Sequence, residues 1–368
     1  MSETPGADFV QLLTPDGRRI DNCDYRFDGD DAEVREYLRQ MVLARRLDAE
    51  ATALQRKGEL GLWPPSLGQE AAQIGSAAAT RAPDEIVPSY REHGVLLSAD
   101  VDPLDVLKTF RGTSMVDWDS RATRVHLYSF VIGTQTLHAV GMAMGMQRDG
   151  LVGNPDPADD GAAIVYFGDG ATSQGDVSEA FVFAASYKAP VVFFCQNNQW
   201  AISEPIEVQS RIPLYRRSAG FGVPGVRVDG NDVLAVKAVT DAALARARRG
   251  DGPTFVEAFT YRMGAHTTSD DPTKYRGRDE EEKWRRRDPI ARVRAYLTAQ
   301  GALDQSFEDA LAAEADALAE RIRTEVLELP EPAFEDLFAN AYADTPAAVE
   351  AQREAYLAYE ASFEETDA

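Results

Sequence analysis

The chain has 368 residues, 44 % of them hydrophobic, and carries 38 Lys and Arg against 61 Asp and Glu, a formal charge of −23. Such an acidic surface repels phosphate backbones, which argues against nucleic-acid binding and means that any anionic ligand needs a local metal, Arg or helix N-terminus. Its two cysteines, Cys23 and Cys195, exclude a disulfide framework or a CxxC metal site, and no run approaches the ~20 apolar residues of a membrane span.

Residues 1–30 read as polar and irregular, with a hairpin expected at Thr14-Pro15-Asp16-Gly17. The start, Met1 to Pro5, has neither a basic nor an apolar leader segment, so a soluble, cytoplasmic chain is expected. Asp31 is a candidate cap for a helix to about Lys57, with Val34, Leu38, Met41, Val42 and Leu47 as its apolar face. A loop at 61–65 precedes a small-residue helix over 66–80, and residues 86–90 read as a short strand entering Arg91-Glu92-His93-Gly94. A helix is expected over 102–110, whereas 112–133 shows no clear period. The helix predicted over 134–146 carries Gly141 and Gly145 on one face, which suits internal packing or a subunit interface.

After an acidic loop at 150–161, strands predicted at 162–167, 191–195, 225–228 and 254–260 alternate with helices at 176–187 and 233–248. Cys195 ends an apolar run and reads as a buried thiol. Such alternation implies a parallel sheet covered on both faces. Beyond Asp288 the chain reads as charged helices, 289–299 and 306–329, with an acidic end, 360–368, expected to fray. The expected fold class is α/β, a mostly parallel sheet with helices on both faces. It divides into an N-terminal extension (1–34), an α/β domain (35–285) and a helical C-terminal extension (286–368).

Open parallel sheets bind ligands beyond the carboxyl ends of their strands. Two such ends carry unusual polar text: Gly168-Asp169-Gly170 and Asn197-Asn198. Residues 171–196 between them suffice for a loop, a helix and a strand, so both tips should lie side by side. A carboxylate at Asp169 and an amide oxygen at Asn198 are hard ligands suited to Mg²⁺, which takes its remaining ligands from water and phosphate. Flanking glycines permit close approach of a diphosphate, and the following helix should point its N-terminal amides toward it. Either motif alone is ordinary turn text; one βα unit apart, at two strand ends, they read as a Mg²⁺-diphosphate cradle.

These motifs resemble those of transketolase-like thiamine-diphosphate enzymes. The fuller text is similar to the alpha subunits of 2-oxoacid dehydrogenases: Tyr90-Arg91-Glu92, Tyr166 to Ala171, Asn197 to Ser203, Arg227 to Asp232 and Thr260 to Asp271. The resemblance implies a thiamine-diphosphate-binding fold with Asp169, Asn198 and the Trp200 carbonyl on Mg²⁺. It places Tyr90, Arg91, Gly168, Gly170, Ala171 and Gln196 around the diphosphate. Gln196 stands where relatives often have Arg, so a cation is missing there. Phe130 and Ile132 belong to the segment that props the bent cofactor, Ile132 being its apolar wedge, and Ser129, Thr134 and Gln135 match a K⁺ site. His266 is expected beside the cofactor as the catalytic group, since a neutral imidazole can give or take a proton near pH 7. Thr267 occupies a regulatory phosphoserine position and is read as a structural loop residue.

The implied reaction is oxidative decarboxylation of a branched-chain 2-oxoacid such as 3-methyl-2-oxobutanoate, with acyl transfer to a lipoyl group of an acyltransferase component. Pyruvate is the alternative substrate, and acetoin a more distant one. The glutamate that deprotonates the cofactor has no counterpart in this chain; in the family it belongs to a beta subunit, so an α2β2 heterotetramer is expected. A non-catalytic homologue would have lost Asp169, Asn198 or His266, and a nicotinamide enzyme would show a GxGxxG after its first strand. Of the other histidines, His93 and His126 are ambiguous, His126 being a candidate for the site entrance, and His138 reads as core.

Overall fold

The computed structural model describes residues 9–114, 118–332, 334, 336–339 and 342–364. Its strands are β1 (Phe9–Val10), β2 (Glu85–Val87), β3 (Ala163–Gly168), β4 (Val191–Asn197), β5 (Trp200–Ala201), β6 (Glu204–Pro205), β7 (Gly225–Asp229) and β8 (Thr254–Phe259). Six of them form a wholly parallel sheet in the order β1-β7-β8-β4-β3-β2, and β5 and β6 make a small antiparallel hairpin.

The central strands carry unbroken apolar runs, Ala163–Phe167 in β3 and Val191–Cys195 in β4, because both sheet faces are covered. Alternate residues serve two cores: Ile164, Tyr166, Val192 and Phe194 join one, while Val165, Phe167, Phe193 and Cys195 join the other. Helices Asp31–Arg56, Glu70–Ala77 and Val233–Arg248 build the first layer. Helices Thr134–Arg148 and Gly175–Tyr187 build the second. Aspartates begin many of these helices: Asp30, Asp102, Asp232, Asp288 and Asp304 each accept a first-turn backbone N–H. The long helix therefore starts one residue after its cap, Asp30, and not with Asp31 as cap.

The expected α/β alternation is present, with differences at several ends. The hairpin at Thr14 forms, with Thr14 N donating to Arg18 O at 2.8 Å and Gly17 at φ +82°. Phe9 and Val10 before it are not irregular: as β1 they add to the far edge of the sheet, where Phe9 pairs with Arg227 and Val10 with Val228. Two residues are too short a run to show a period, and their partner lies over 200 positions away, so local text could not reveal them. The helix expected over 66–80 begins at Glu70, because Gly68 (φ +96°) turns the chain first. The strand expected over 86–90 ends at Val87. The end expected to fray is helical to Glu364, within helix Ala347–Glu364; residues 365–368 lie outside the described ones. No helix among the described residues is long and apolar enough to cross a membrane.

Strand order decides what meets at the carboxyl edge. Gly168 pairs with Gln196, Asn197 with Phe259, and Val87 with Val165. The segments leaving β8, β4, β3 and β2 thus stand in a row, carrying His266, Asn198, Asp169 and the Tyr90-Arg91 pair to one place.

Candidate active site

A cavity of about 240 Å³ opens at that edge. Its walls include Tyr90, Arg91 and Ile132 from one side, Gly168, Asp169, Gly170 and Ala171 from the β3 tip, Gln196, Asn198 and Trp200 from the β4 tip, and His266. Phe130 is not a wall residue; it is half-exposed beside the cavity, its ring stacked on Tyr90 at 6.2 Å.

At the β3 tip the chain passes from strand into a 3₁₀ turn, Asp169–Ser173, before helix Gly175–Tyr187 begins. The 3₁₀ turn thus stands between Asp169 and the helix, whose N-cap residue Gln174 also lines the cavity. Gly168 and Gly170 serve space, not backbone freedom. A Cβ at Gly168, which lines the cavity, would meet nothing within 4 Å; one at Gly170 would sit 2.8 Å from Ala201 Cβ. The buried Asp169 carboxylate accepts from Gln209 Nε2 at 2.9 Å. Burial pushes its pKa up to about 6, while Gln209, Arg262 and the Asn198 backbone N–H pull the other way. Asp169 thus lies close enough to the β4 tip to feel the Asn198 amide.

Asn198 is buried, and its Nδ2 donates to Gln69 Oε1 at 3.1 Å, which turns Oδ1 away from Gln69. The Trp200 carbonyl accepts from Arg262 Nη1 at 3.0 Å and keeps a second lone pair. Among the described residues no group of three or more His, Cys, Asp or Glu side chains has the arrangement of a metal site. The donor set at the strand tips is one carboxylate, one amide oxygen and one carbonyl. It suits a hard cation that takes the rest of its shell from phosphate and water. With the open space beside Gly168, and with Gln69 bordering the cavity and its buried Nε2 without a partner, the residues fit a Mg²⁺-diphosphate group.

His266 is held from behind. Arg91 Nη2 approaches its Nδ1 at 3.1 Å and Arg262 Nη1 at 3.3 Å. A guanidinium only donates, so Nδ1 is the acceptor and the ring proton sits on Nε2. Burial, then Arg91 and Arg262, lower its pKa to about 3, so the imidazole is neutral at ordinary pH. The loop is fixed as well: Asp270 Oδ2 accepts the His266 N–H at 2.8 Å, and Thr268 N donates to Trp63 O at 2.9 Å. Arg91 also donates to Pro65 O at 2.6 Å.

Several residues inside the stretches that carried the resemblance build the site although the sequence assigned them no role. Arg262 is fully buried and binds the carbonyls of Trp200 and Ile202 (3.0 and 2.7 Å) and the Tyr275 hydroxyl (2.9 Å). Ile202 lines the cavity at φ +57°, a region that β-branched residues rarely adopt. Glu92 is buried on the wall, accepts from Gln196 Nε2 at 2.6 Å, and is pushed by burial to about 7. Gln196 therefore occupies itself with Glu92 and with Gln73, whose Nε2 reaches its Oε1 at 3.2 Å.

The K⁺ candidates are only partly assembled. Thr134 Oγ1 donates to Asp176 and Ser129 Oγ to Val131 O, while Gln135 donates to Tyr166 O and leaves Oε1 buried without a partner. His93 is core: it is fully buried, stacked on Trp63 at 4.1 Å and bonded to Tyr128 and Pro64. His126 pairs with Glu85 at 2.8 Å and does not line the cavity. His138, expected as core, is exposed, because helix Thr134–Arg148 turns Ala139, Val140 and Ala143 inward. Gly141 and Gly145 also have nothing within 4 Å of an added Cβ, so neither packs closely against the other described residues.

Comparison with known proteins agrees with this geometry. Residues 38–335 match the family described as "Dehydrogenase E1 component". The chain is 45 % identical over 346 residues to the 3-methyl-2-oxobutanoate dehydrogenase subunit alpha of Mycobacterium tuberculosis, covering 94 % of this chain and 92 % of that one. It is 40 % identical over 279 residues to the pyruvate dehydrogenase E1 component subunit alpha of Bacillus subtilis (74 % and 71 % covered). To that of Staphylococcus epidermidis it is 37 % identical over 304 residues (82 % and 80 % covered). The chain belongs to the dehydrogenase E1 component family, the thiamine-diphosphate-dependent enzymes of the 2-oxoacid dehydrogenase type.

Proposed function

We propose that this chain is the alpha subunit of a branched-chain 2-oxoacid dehydrogenase, acting on 3-methyl-2-oxobutanoate and its homologues. The observation that carries the site assignment is the convergence of Asp169, Asn198, Arg91 and His266 on one cavity. Asp169, Asn198 and the Trp200 carbonyl would hold Mg²⁺. Tyr90, Arg91 and the Gly168–Ala171 backbone would hold the diphosphate, with Ile132 as the apolar prop and Phe130 beside it. Gln196 contributes through Glu92 and Gln73 more than through a charge of its own. Bound thiamine diphosphate supplies an electron sink for loss of CO₂. The chain's own part is to bind, orient and exclude water, and to present the His266 Nε2–H as a neutral donor beside the substrate.

Gln135 Oε1, buried without a partner, supports a K⁺ ion bound with Ser129 and Thr134. The relatives are named as alpha subunits, which supports a beta subunit partner in an α2β2 heterotetramer. Outward-facing Gly141 and Gly145 suit that interface. A lipoylated acyltransferase would take the acyl group, and the complex would operate in the cytoplasm. Residues 1–34, 35–285 and 286–368 would serve as extension, cofactor domain and helical support.

A second reading, pyruvate as substrate, is favoured by the identity to the Bacillus subtilis pyruvate dehydrogenase subunit. The two are separated by kcat/KM of the reconstituted α/β enzyme with 3-methyl-2-oxobutanoate, pyruvate and acetoin. The branched substrate should lead by at least tenfold, about the worth of two buried methyl groups. A preference for pyruvate would replace the first reading with the second.

A further inference from the structure

We infer that Gln69 is a two-ended positioning residue, orienting Asn198 with its oxygen and presenting its nitrogen to the anionic tail of the bound diphosphate. The inference rests on the reading of Asp169 and Asn198 as metal ligands.

The local chain is built to place it. Gly68 adopts φ +96°, and a Cβ there would lie 2.5 Å from Tyr261 O, so only glycine lets the backbone pass so close to the segment after β8. The next residue, Gln69, is thereby driven under the tip of β4, just before helix Glu70–Ala77. It is 1 % exposed and forms part of the cavity wall. Its Oε1 accepts from Asn198 Nδ2 at 3.1 Å. A carboxamide ligates a hard cation through oxygen alone, so engaging Nδ2 turns Oδ1 to the ligating side, where it accepts only the Trp200 N–H at 3.3 Å and keeps a second lone pair for the cation. Gln69 Nε2 has no partner. A buried amide nitrogen with no acceptor, on a side chain that borders the cavity, is costly to leave so unless a ligand completes it. A cradle for phosphate oxygens supplies such an acceptor. The flat carboxamide joins the two tasks: fixing one end on Asn198 fixes the direction in which the other end donates.

The test uses the full chain co-expressed with its beta subunit. It measures separately the Mg²⁺ concentration for half-saturation at excess thiamine diphosphate and the thiamine diphosphate affinity at excess Mg²⁺. Mn²⁺ serves as the spectroscopic probe of the metal environment. Gln69→Leu removes both ends and should weaken both affinities about 10- to 100-fold, the usual cost of removing a group that orients a metal ligand. Gln69→Glu keeps an acceptor for Asn198 but loses the donor. It should retain the native Mg²⁺ requirement and Mn²⁺ spectrum while binding thiamine diphosphate as poorly as Gln69→Leu. A purely structural Gln69 would show no such split. Native affinities in Gln69→Leu, or a Mg²⁺ requirement raised equally in both variants, would overturn the inference. Should Gln69→Leu fail to fold, the split in Gln69→Glu decides alone. Asn198→Ala is the control: if it too binds Mg²⁺ normally, the ligand assignment has failed and not merely the role of Gln69.

Discussion

On the strand-tip side of the cavity, Asp169 has one side-chain donor, Gln69 Nε2 has no partner, and a Cβ at Gly168 would meet only open space. Around His266 the arrangement differs: the ring sits between two guanidinium groups, and its loop is tied to Trp63, Asp270 and, through Arg276, to the carbonyls of Met263 and Gly264. One side leaves polar capacity unused; the other is bonded in advance. On the proposed function the contrast separates two tasks. A surface that grips an ion and an anion must keep ligand-facing groups unsatisfied until the ligand arrives. A group that meets a reacting substrate gains from being held rigid beforehand.

Substitutions on the two sides should therefore fail in different ways. The largest effect is expected at the strand tips. Asp169→Ala should abolish Mg²⁺-dependent thiamine diphosphate binding in calorimetry, a loss beyond the ~100-fold typical of groups that merely support a ligand. The fold should persist, because the carboxylate is a burden to the ligand-free chain: burial raises its pKa. Unchanged affinity would remove the metal assignment.

Next comes the preorganised side. Arg262→Met should cost stability first, about 3 kcal/mol in chemical denaturation, because it leaves the Trp200 and Ile202 carbonyls and the Tyr275 hydroxyl without their donor. It also releases one of the two guanidinium groups on His266, so kcat should fall more than cofactor affinity. A variant as stable as the native protein would contradict the picture of a braced loop.

The smallest effects are in pH dependence, and they carry opposite signs. His266, at about 3 in the fold, takes up its proton more readily when unfolded. Its contribution therefore makes stability fall with acidification from about pH 6.5, the ordinary histidine value, down to the folded value. Glu92, at about 7, keeps its proton longer in the fold than the unfolded carboxyl does. Its contribution is full below about pH 4.3, the ordinary glutamate value, and is lost as pH rises through 7. Glu92→Gln should accordingly gain a few degrees in Tm relative to native at pH 8 compared with pH 5. The His266 Cε1–H resonance should not titrate between pH 8 and 5. A midpoint near 6.5 would mean that Arg91 and Arg262 do not hold that ring as described.

Much of this was legible locally. The apolar runs of β3 and β4 announced strands buried on both faces, and the text at Asp169 and Asn198 announced a site at their ends. The Asp-capped helices announced most of their own starts. These signals work because hydrophobic period, capping and turn chemistry act over a few residues. Gln69, Arg262 and β1 were not legible. Gln69 precedes an unremarkable small-residue helix, and Arg262, although inside the Thr260 to Asp271 stretch that carried the resemblance, had no role that its neighbours in sequence could assign. Each acquires its role from a partner about 60 to more than 200 positions away. His138 failed for a related reason: its helix is apolar on more than one side, so which side faced the sheet was open until the layers packed.

The sequence by itself determined that the chain is an α/β protein with a carboxylate and a carboxamide at two successive strand ends, because those features follow from alternation and local apolarity. Only the tertiary structure decided the row β8-β4-β3-β2 and, with it, which side chains share the cavity. The physical reason is that strand order is set by how helical layers bury their faces across the whole sheet, and no local stretch of residues contains that information.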